Sequence, residues 1–160
     1  METADPRTVR LADYRPFPWV VEGVELTFRL APRATRVHSR IRFAPREGAA
    51  GPFVLHGEDL SLISARVDGQ EVSPTLTPEG LSCDVPPGRF TWEAEVEIAP
   101  EANTRLEGLY LSKGMYCTQC EAEGFRRISF YPDRPDALPT FALTPPSPLP
   151  PPPPHPPPPP

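Results

Sequence analysis

The sequence predicts an all-β domain of antiparallel strands, and three observations carry that expectation. Apolar and polar residues alternate strictly in several runs. Turn residues punctuate the chain at intervals of roughly 8–12 residues, as in sandwiches and open barrels. No segment through residue 100 repeats apolar residues with the 3.6-residue period of a helix. The chain of 160 residues has room for one domain with a modest core. Its hydrophobic share of 38% is diluted by a tail, since 13 of the 27 prolines lie from Pro145 onward. The expected organisation is a flexible arm over residues 1–12, a β-domain over 13–144 and a disordered polyproline tail over 145–160.

Val24, Leu26, Phe28 and Leu30 point one way while Glu25, Thr27 and Arg29 point the other, the period of a half-buried strand. Ala31-Pro32-Arg33-Ala34 ends the run, because proline removes a ladder donor. A second run puts Val37, Ser39, Ile41 and Phe43 on one face and Arg36, His38, Arg40 and Arg42 on the other. The two runs predict a hairpin with a polar outer face, where Glu25 and Arg29 are placed to pair with arginines across the strands. His38 on this face is a solvated strand residue.

Phe53-Val54-Leu55 is a short strand, and Gly57-Glu58-Asp59 is a turn. Leu60, Leu62 and then Ile63, Ala65 and Val67 shift facing by one residue, which suggests a bulge. Asp68-Gly69 is a strong hairpin signal, because a type I′ turn needs positive φ at both central positions. Glu71, Val72 and Thr75–Thr77 are expected as the returning strand. Pro78-Glu79-Gly80 turns into Leu81, Cys83 and Val85, and Pro86-Pro87-Gly88 closes that unit. In Arg89–Ile98, Phe90, Trp92, Ala94, Val96 and Ile98 alternate with Thr91, Glu93, Glu95 and Glu97. The three glutamates are expected as a solvated face that discourages edge-to-edge aggregation, not as a metal site. Pro100–Glu107 holds one helical turn before Gly108.

The bulk numbers bound the function. A net charge of −5 argues against an electrostatic nucleic-acid binder. Fifteen of the 16 basic residues are arginine, a mark of GC-rich coding. The opening METADPRTVRLADYR is polar, unlike a secretory signal, and no window approaches the apolar length of a membrane span. Three cysteines suit reduced thiols, so the expected compartment is the cytoplasm.

Unusual residues concentrate in Leu109–Asp136, LYLSKGMYCTQCEAEGFRRISFYPDRPD, with the only lysine (Lys113), two cysteines and three of the four tyrosines. Cys117-Thr118-Gln119-Cys120 has the spacing of half a zinc site, but Cys83, His38 and His56 supply no second ligand pair. A redox dithiol needs a helix start that an all-β chain does not offer. That leaves small semi-buried thiols in a loop. In an extended segment Gln119, Glu121 and Glu123 would project to one side. They would either receive a cationic ligand such as an amine, or stand in solvent and pair with Arg126, Arg127 or Arg134.

The runs L-E-G-L-Y, C-T-Q-C-E-A-E-G-F-R and D-R-P-D, with the earlier H-G-E-D-L-S-L-I-S, closely resemble the N-terminal domain of the bacterial-type aminopeptidase N family, zinc metallopeptidases of the gluzincin group. The resemblance covers roughly Asp13 to Phe141. It implies a largely antiparallel, saddle-shaped β-sandwich, incomplete at its C-terminal end. It also implies that Gln119 lines the pocket for the substrate's first side chain and that Glu121 binds the free α-amino group. A carboxylate that recognises the peptide N-terminus would make the enzyme an exopeptidase and position the scissile carbonyl.

The same resemblance shows what is missing. The family's zinc is held by H-E-x-x-H plus a downstream glutamate, the first Glu being general base. This chain has no such motif, its histidines standing at 38, 56 and 155, and it has no G-A-M-E-N segment. No residue here is therefore expected to be catalytic or to ligate metal. Zinc belongs to the full-length family, and these residues alone are expected to be inactive. The expected partners are peptide N-termini in the whole enzyme, not nucleic acid or a membrane.

After Thr144 the family would continue with further strands, where this sequence becomes polyproline. Such a tail would serve as a polyproline II ligand or would be C-rich DNA read out of frame, and arginine-dominated coding favours a truncated or frameshifted product. The alternative function is a stand-alone β-module that binds peptides or a partner, through that tail among other surfaces. Lost strands would leave a sheet edge uncovered and stability marginal. Cys117 and Cys120 have no assigned task.

Overall fold

A computed structural model describes residues 10–144; the polyproline tail and residues 1–9 of the arm lie outside the described residues. One exposed 3-10 turn, Leu11–Asp13, leads into eleven strands. These are β1 (Trp19–Arg29), β2 (Thr35–Pro45), β3 (Phe53–His56), β4 (Ser61–Val67), β5 (Gln70–Glu71), β6 (Thr75–Thr77), β7 (Gly80–Cys83), β8 (Phe90–Ile98), β9 (Gly108–Ser112), β10 (Met115–Gln119) and β11 (Phe141–Thr144). They form a six-stranded sheet in the order β11-β1-β2-β8-β4-β5, a three-stranded sheet β3-β7-β6 and a hairpin β9-β10. The all-β expectation holds.

Strand β1 starts five residues before the alternation becomes legible. The ladder with β2 shifts register between Val21 and Gly23, so odd positions (Trp19, Val21) are buried before that point and even ones (Val24, Leu26) after it. A bulge inserts one residue and swaps the faces, which erases a single period-two pattern over the whole strand. At the far end the strand stops at Arg29, leaving Leu30 exposed. The bulge expected after Leu62 is present, with β4 shifting against β8 between Leu62 and Ser64. Asp68 and Gly69 take φ of 49° and 80°, as the type I′ turn requires.

The returning strand expected at Glu71–Thr77 is two elements. Gln70–Glu71 pairs with β4, whereas Thr75–Thr77 pairs with β7 in the other sheet. Pro74 lies between them and has no N–H for a ladder, so the chain leaves one sheet there and enters the next. The large sheet is not wholly antiparallel either. Its edge strand β11 lies parallel to β1, with Val24 opposite Phe141 and Leu26 opposite Leu143.

The core sits between the two larger sheets. Trp92, Phe43, Ile41, Val37 and Val96 from the large sheet are almost wholly buried, as are Leu55 and Leu81 from the small one. Phe53 joins the layers, with ring centroids 5.0 Å from Phe43, 5.2 Å from Phe90, 5.3 Å from Trp19 and 5.7 Å from Trp92.

The opposite face of the large sheet is an ion-pair ladder. Arg36 reaches Glu97 at 2.7 Å and Glu95 at 3.2 Å, and Glu25 reaches Arg42 at 3.1 Å. His38 lies 3.5 Å from Glu93. The glutamate row is therefore paired, not merely solvated. Arg29 stands opposite Arg36, a like charge, and forms no ion pair among the described residues. Solvent screens these partly exposed pairs, so each adds little to stability.

The tightest approach between strands is at Gly80, where a Cβ would fall 1.9 Å from the Leu55 carbonyl oxygen. Backbone cannot yield there as a side chain would. Gly80→Ala is expected to destabilise the chain by about 3 kcal/mol, read as a lower urea midpoint at unchanged slope.

Candidate functional site

The β9–β10 hairpin turns at Lys113 and Gly114, whose φ of 51° and 79° give it a two-residue primed turn. In its antiparallel register Gln119, the last residue of β10, faces Gly108, the first of β9. Beyond Gln119 the chain does not stay extended. The Gly124 N–H donates to the Cys120 carbonyl at 3.0 Å and closes a tight turn over 120–124. The Glu121 N–H donates to the Gln119 side-chain oxygen at 3.3 Å.

Gln119 and Glu121 are thus neighbours at the mouth of this turn, both exposed. Glu123 is separated from them. Its φ is +65°, and its carboxylate lies 3.5 Å from Arg126. The expected row of three side chains on one side is corrected to a pair plus an ion-paired third, because the turn breaks the period-two projection.

A 3-10 turn, Phe125–Arg127, follows and carries the two arginines. Arg126 holds Asp133 through its Nε at 3.2 Å, and its guanidinium also donates to the Asp133 carbonyl at 3.2 Å. Arg127 is buried, at 8% exposure, and its guanidinium is surrounded by carboxylates. Its Nε donates to Glu107 at 3.1 Å, one Nη to Asp59 at 2.5 Å and the other to Glu58. Sequence reasoning named Arg127 only as a partner for the loop acids and missed these three. The available signal was Glu58-Asp59 in a turn and Glu107 before Gly108, acids at loop positions facing an arginine-rich stretch.

Two titratable groups beside the turn are perturbed. Burial, then the nearby Arg126 charge, pushes His56 below its ordinary 6.5, and its Nδ1 accepts the Asp133 N–H at 3.1 Å, the mark of a neutral ring. Burial, then Asp133, pushes the Cys120 thiol up. That is opposite to what an attacking thiolate needs. Cys83, Cys117 and Cys120 are all free.

Among the described residues no group of three or more His, Cys, Asp or Glu side chains is arranged to hold a metal ion. His38 lies in the large sheet and His56 in the small one, where its ring nitrogen is taken by Asp133. Glu58, Asp59 and Glu107 each accept a hydrogen bond from Arg127. Among the described residues these side chains form no set that fits a catalytic zinc. No described helix is long and apolar enough to cross a membrane.

No family model matches the chain. Its sequence is 44% identical over 146 residues to aminopeptidase N of Caulobacter vibrioides, covering 89% of this chain and 17% of that protein. It is 43% identical over 141 residues to aminopeptidase N of Escherichia coli, covering 87% of this chain and 16% of that one. The chain belongs to the aminopeptidase N family. It spans about a sixth of the length of these curated relatives.

Solved structures agree. Aminopeptidase A of Legionella pneumophila, in complex with aspartic acid, superposes with a TM-score of 0.77 at 29% identity, over 86% of this chain and 17% of that one. An M1 zinc metallopeptidase from Deinococcus radiodurans shares the fold, with a TM-score of 0.64 at 18% identity over 79% of this chain and 32% of that one. The chain has the fold and sequence of the family's N-terminal β-domain.

His56 gives a pH prediction whose sign is fixed. A depressed folded pKa means the unfolded chain takes up the proton more readily, so stability is whole above 6.5 and falls as pH drops through the folded value. The urea midpoint is expected to fall between pH 7 and pH 5, and His56→Gln to flatten that slope.

Proposed function

We propose that this chain is the substrate-recognition part of a zinc-dependent aminopeptidase, with Glu121 as the anchor for the peptide's α-ammonium and Gln119 lining the space for the first side chain. The observation that carries this reading is the exposed Gln119–Glu121 pair at the mouth of a hydrogen-bonded turn, within a segment of an aminopeptidase N relative. A carboxylate held at the end of a strand accepts charge-assisted hydrogen bonds from an ammonium, and a fixed amine sets the distance to the scissile bond. A zinc ion held elsewhere in the whole enzyme would supply the activation of water. The residues present here do not provide for that step, so they bind and orient but do not hydrolyse. The compartment that suits reduced, free thiols is the cytoplasm.

Two experiments test this reading. The purified 160-residue chain is expected to release no alanine from an alanyl chromogenic substrate above the buffer rate; turnover would overturn its inactivity. The second grafts residues 13–144 in place of the matching segment of C. vibrioides aminopeptidase N. In that hybrid Glu121→Gln is expected to lower kcat/KM by roughly 10- to 100-fold, the loss of one charged hydrogen bond. An active hybrid indifferent to Glu121→Gln would remove the anchor role.

A further inference from the structure

The turn that presents Gln119 and Glu121 rests on Arg127, and every link can be traced. The Arg127 N–H donates to the Gly124 carbonyl at 3.1 Å, and the Gly124 N–H donates to the Cys120 carbonyl at 3.0 Å. The first of these bonds belongs to the 3-10 turn that follows, which shares Gly124 with the 120–124 turn and so joins Arg127 to it. Its side chain passes behind the hairpin at Gly108, where any Cβ would lie 2.7 Å from the Arg127 Cβ. Gly108 is the cross-strand partner of Gln119. Arg127 thus meets the turn at Gly124 and the hairpin at Gly108, the strand partner of Gln119.

The guanidinium fixes Arg127 in turn to two distant parts of the chain. Glu58 and Asp59 lie between β3 and β4, and the Glu58 N–H also donates to the Arg126 carbonyl at 3.0 Å. Glu107 is held from the other side by Asn103, whose side-chain amide donates to the Glu107 carbonyl at 2.7 Å and the Leu109 carbonyl at 2.9 Å. Three carboxylates around one cation leave the cluster with an excess of negative charge. Only the guanidinium, with donors diverging in one plane, can satisfy all three at once.

We infer that Arg127, clamped by Glu58, Asp59 and Glu107, is the positioning residue that sets Gln119 and Glu121 for amine recognition. The inference rests on the proposed role of that pair but concerns its geometry, and it is tested without any amine.

Amide hydrogen exchange in the 160-residue chain reads the turn directly through Glu121 and Gly124, with Val37 and Trp92 as core controls. Arg127→Met is expected to speed exchange at Glu121 and Gly124 at least about tenfold, the worth of one charged hydrogen bond, with the core amides changed far less. Arg127→Lys is expected to fall between, because an ammonium keeps the charge but cannot span three acids. Unchanged exchange at Glu121 and Gly124 overturns the inference, as does equal acceleration of turn and core in a folded variant. Should Arg127→Met unfold the chain, Glu107→Gln decides instead. It leaves the guanidinium paired with two acids; local acceleration supports the clamp, and no change overturns it. A failure here leaves the amine-anchor reading standing, whereas a hybrid indifferent to Glu121→Gln leaves the clamp standing.

Discussion

The contact on which the rest of the molecule depends is that of Phe53 with the aromatic side chains of the large sheet. Phe53 lies on a four-residue strand that could not hold a place alone. Its ring meets those of Phe43, Phe90, Trp19 and Trp92, mostly edge to face, the arrangement that the ring quadrupoles favour. Each such pair adds about 0.5–1.5 kcal/mol beyond the area it buries. That fixes β3 against the large sheet, and β3 ends at His56. Glu58 and Asp59 follow within three residues, so the position of two of the acids around Arg127 is inherited from the aromatic core.

The Arg127 cluster works by a different balance. A buried guanidinium is expensive to desolvate, and its pairs return that cost only with good geometry and full hydrogen bonding. Here each of the three guanidinium nitrogens donates to a carboxylate, while Asp59 remains 80% exposed and Glu58 and Glu107 about half exposed. The acids therefore keep part of their hydration and the arginine carries most of the burial. Such a cluster adds little net stability, but it penalises any arrangement of the hairpin that leaves the charge unpaired. It specifies where the hairpin lies more than it holds the domain together.

What the sequence could reveal follows from the range of each effect. Alternation in β2 and β8 was legible because those strands have one buried face and no break, and Asp68-Gly69 was legible because the turn's φ values restrict it to few residues. The start of β1 was hidden by its own bulge, since Trp19 and Val21 are in opposite phase to Val24 and Leu26. The split of 70–77 between two sheets is a tertiary choice marked locally only by Pro74. At the site, Gln119 and Glu121 stood out through the family's motif. Their separation from Glu123 and the acids around Arg127 depend on contacts between residues up to 69 positions apart, which no local pattern encodes.

The exposure of Glu121 bears on how such a site can be selective. A carboxylate and an ammonium meeting in bulk water gain at most about 1 kcal/mol, and salt screens it. A hydrogen bond to a charged group in a drier setting contributes about 1.5–3 kcal/mol. Glu121 is exposed in the described residues, so geometry alone gives it little preference for an α-amine over any other cation. On the proposed reading, the preference would come from a second surface that excludes water when peptide is bound. On that reading a rigid turn matters: a mobile Glu121 would follow the amine, whereas one held in a hydrogen-bonded turn would make the amine follow the enzyme.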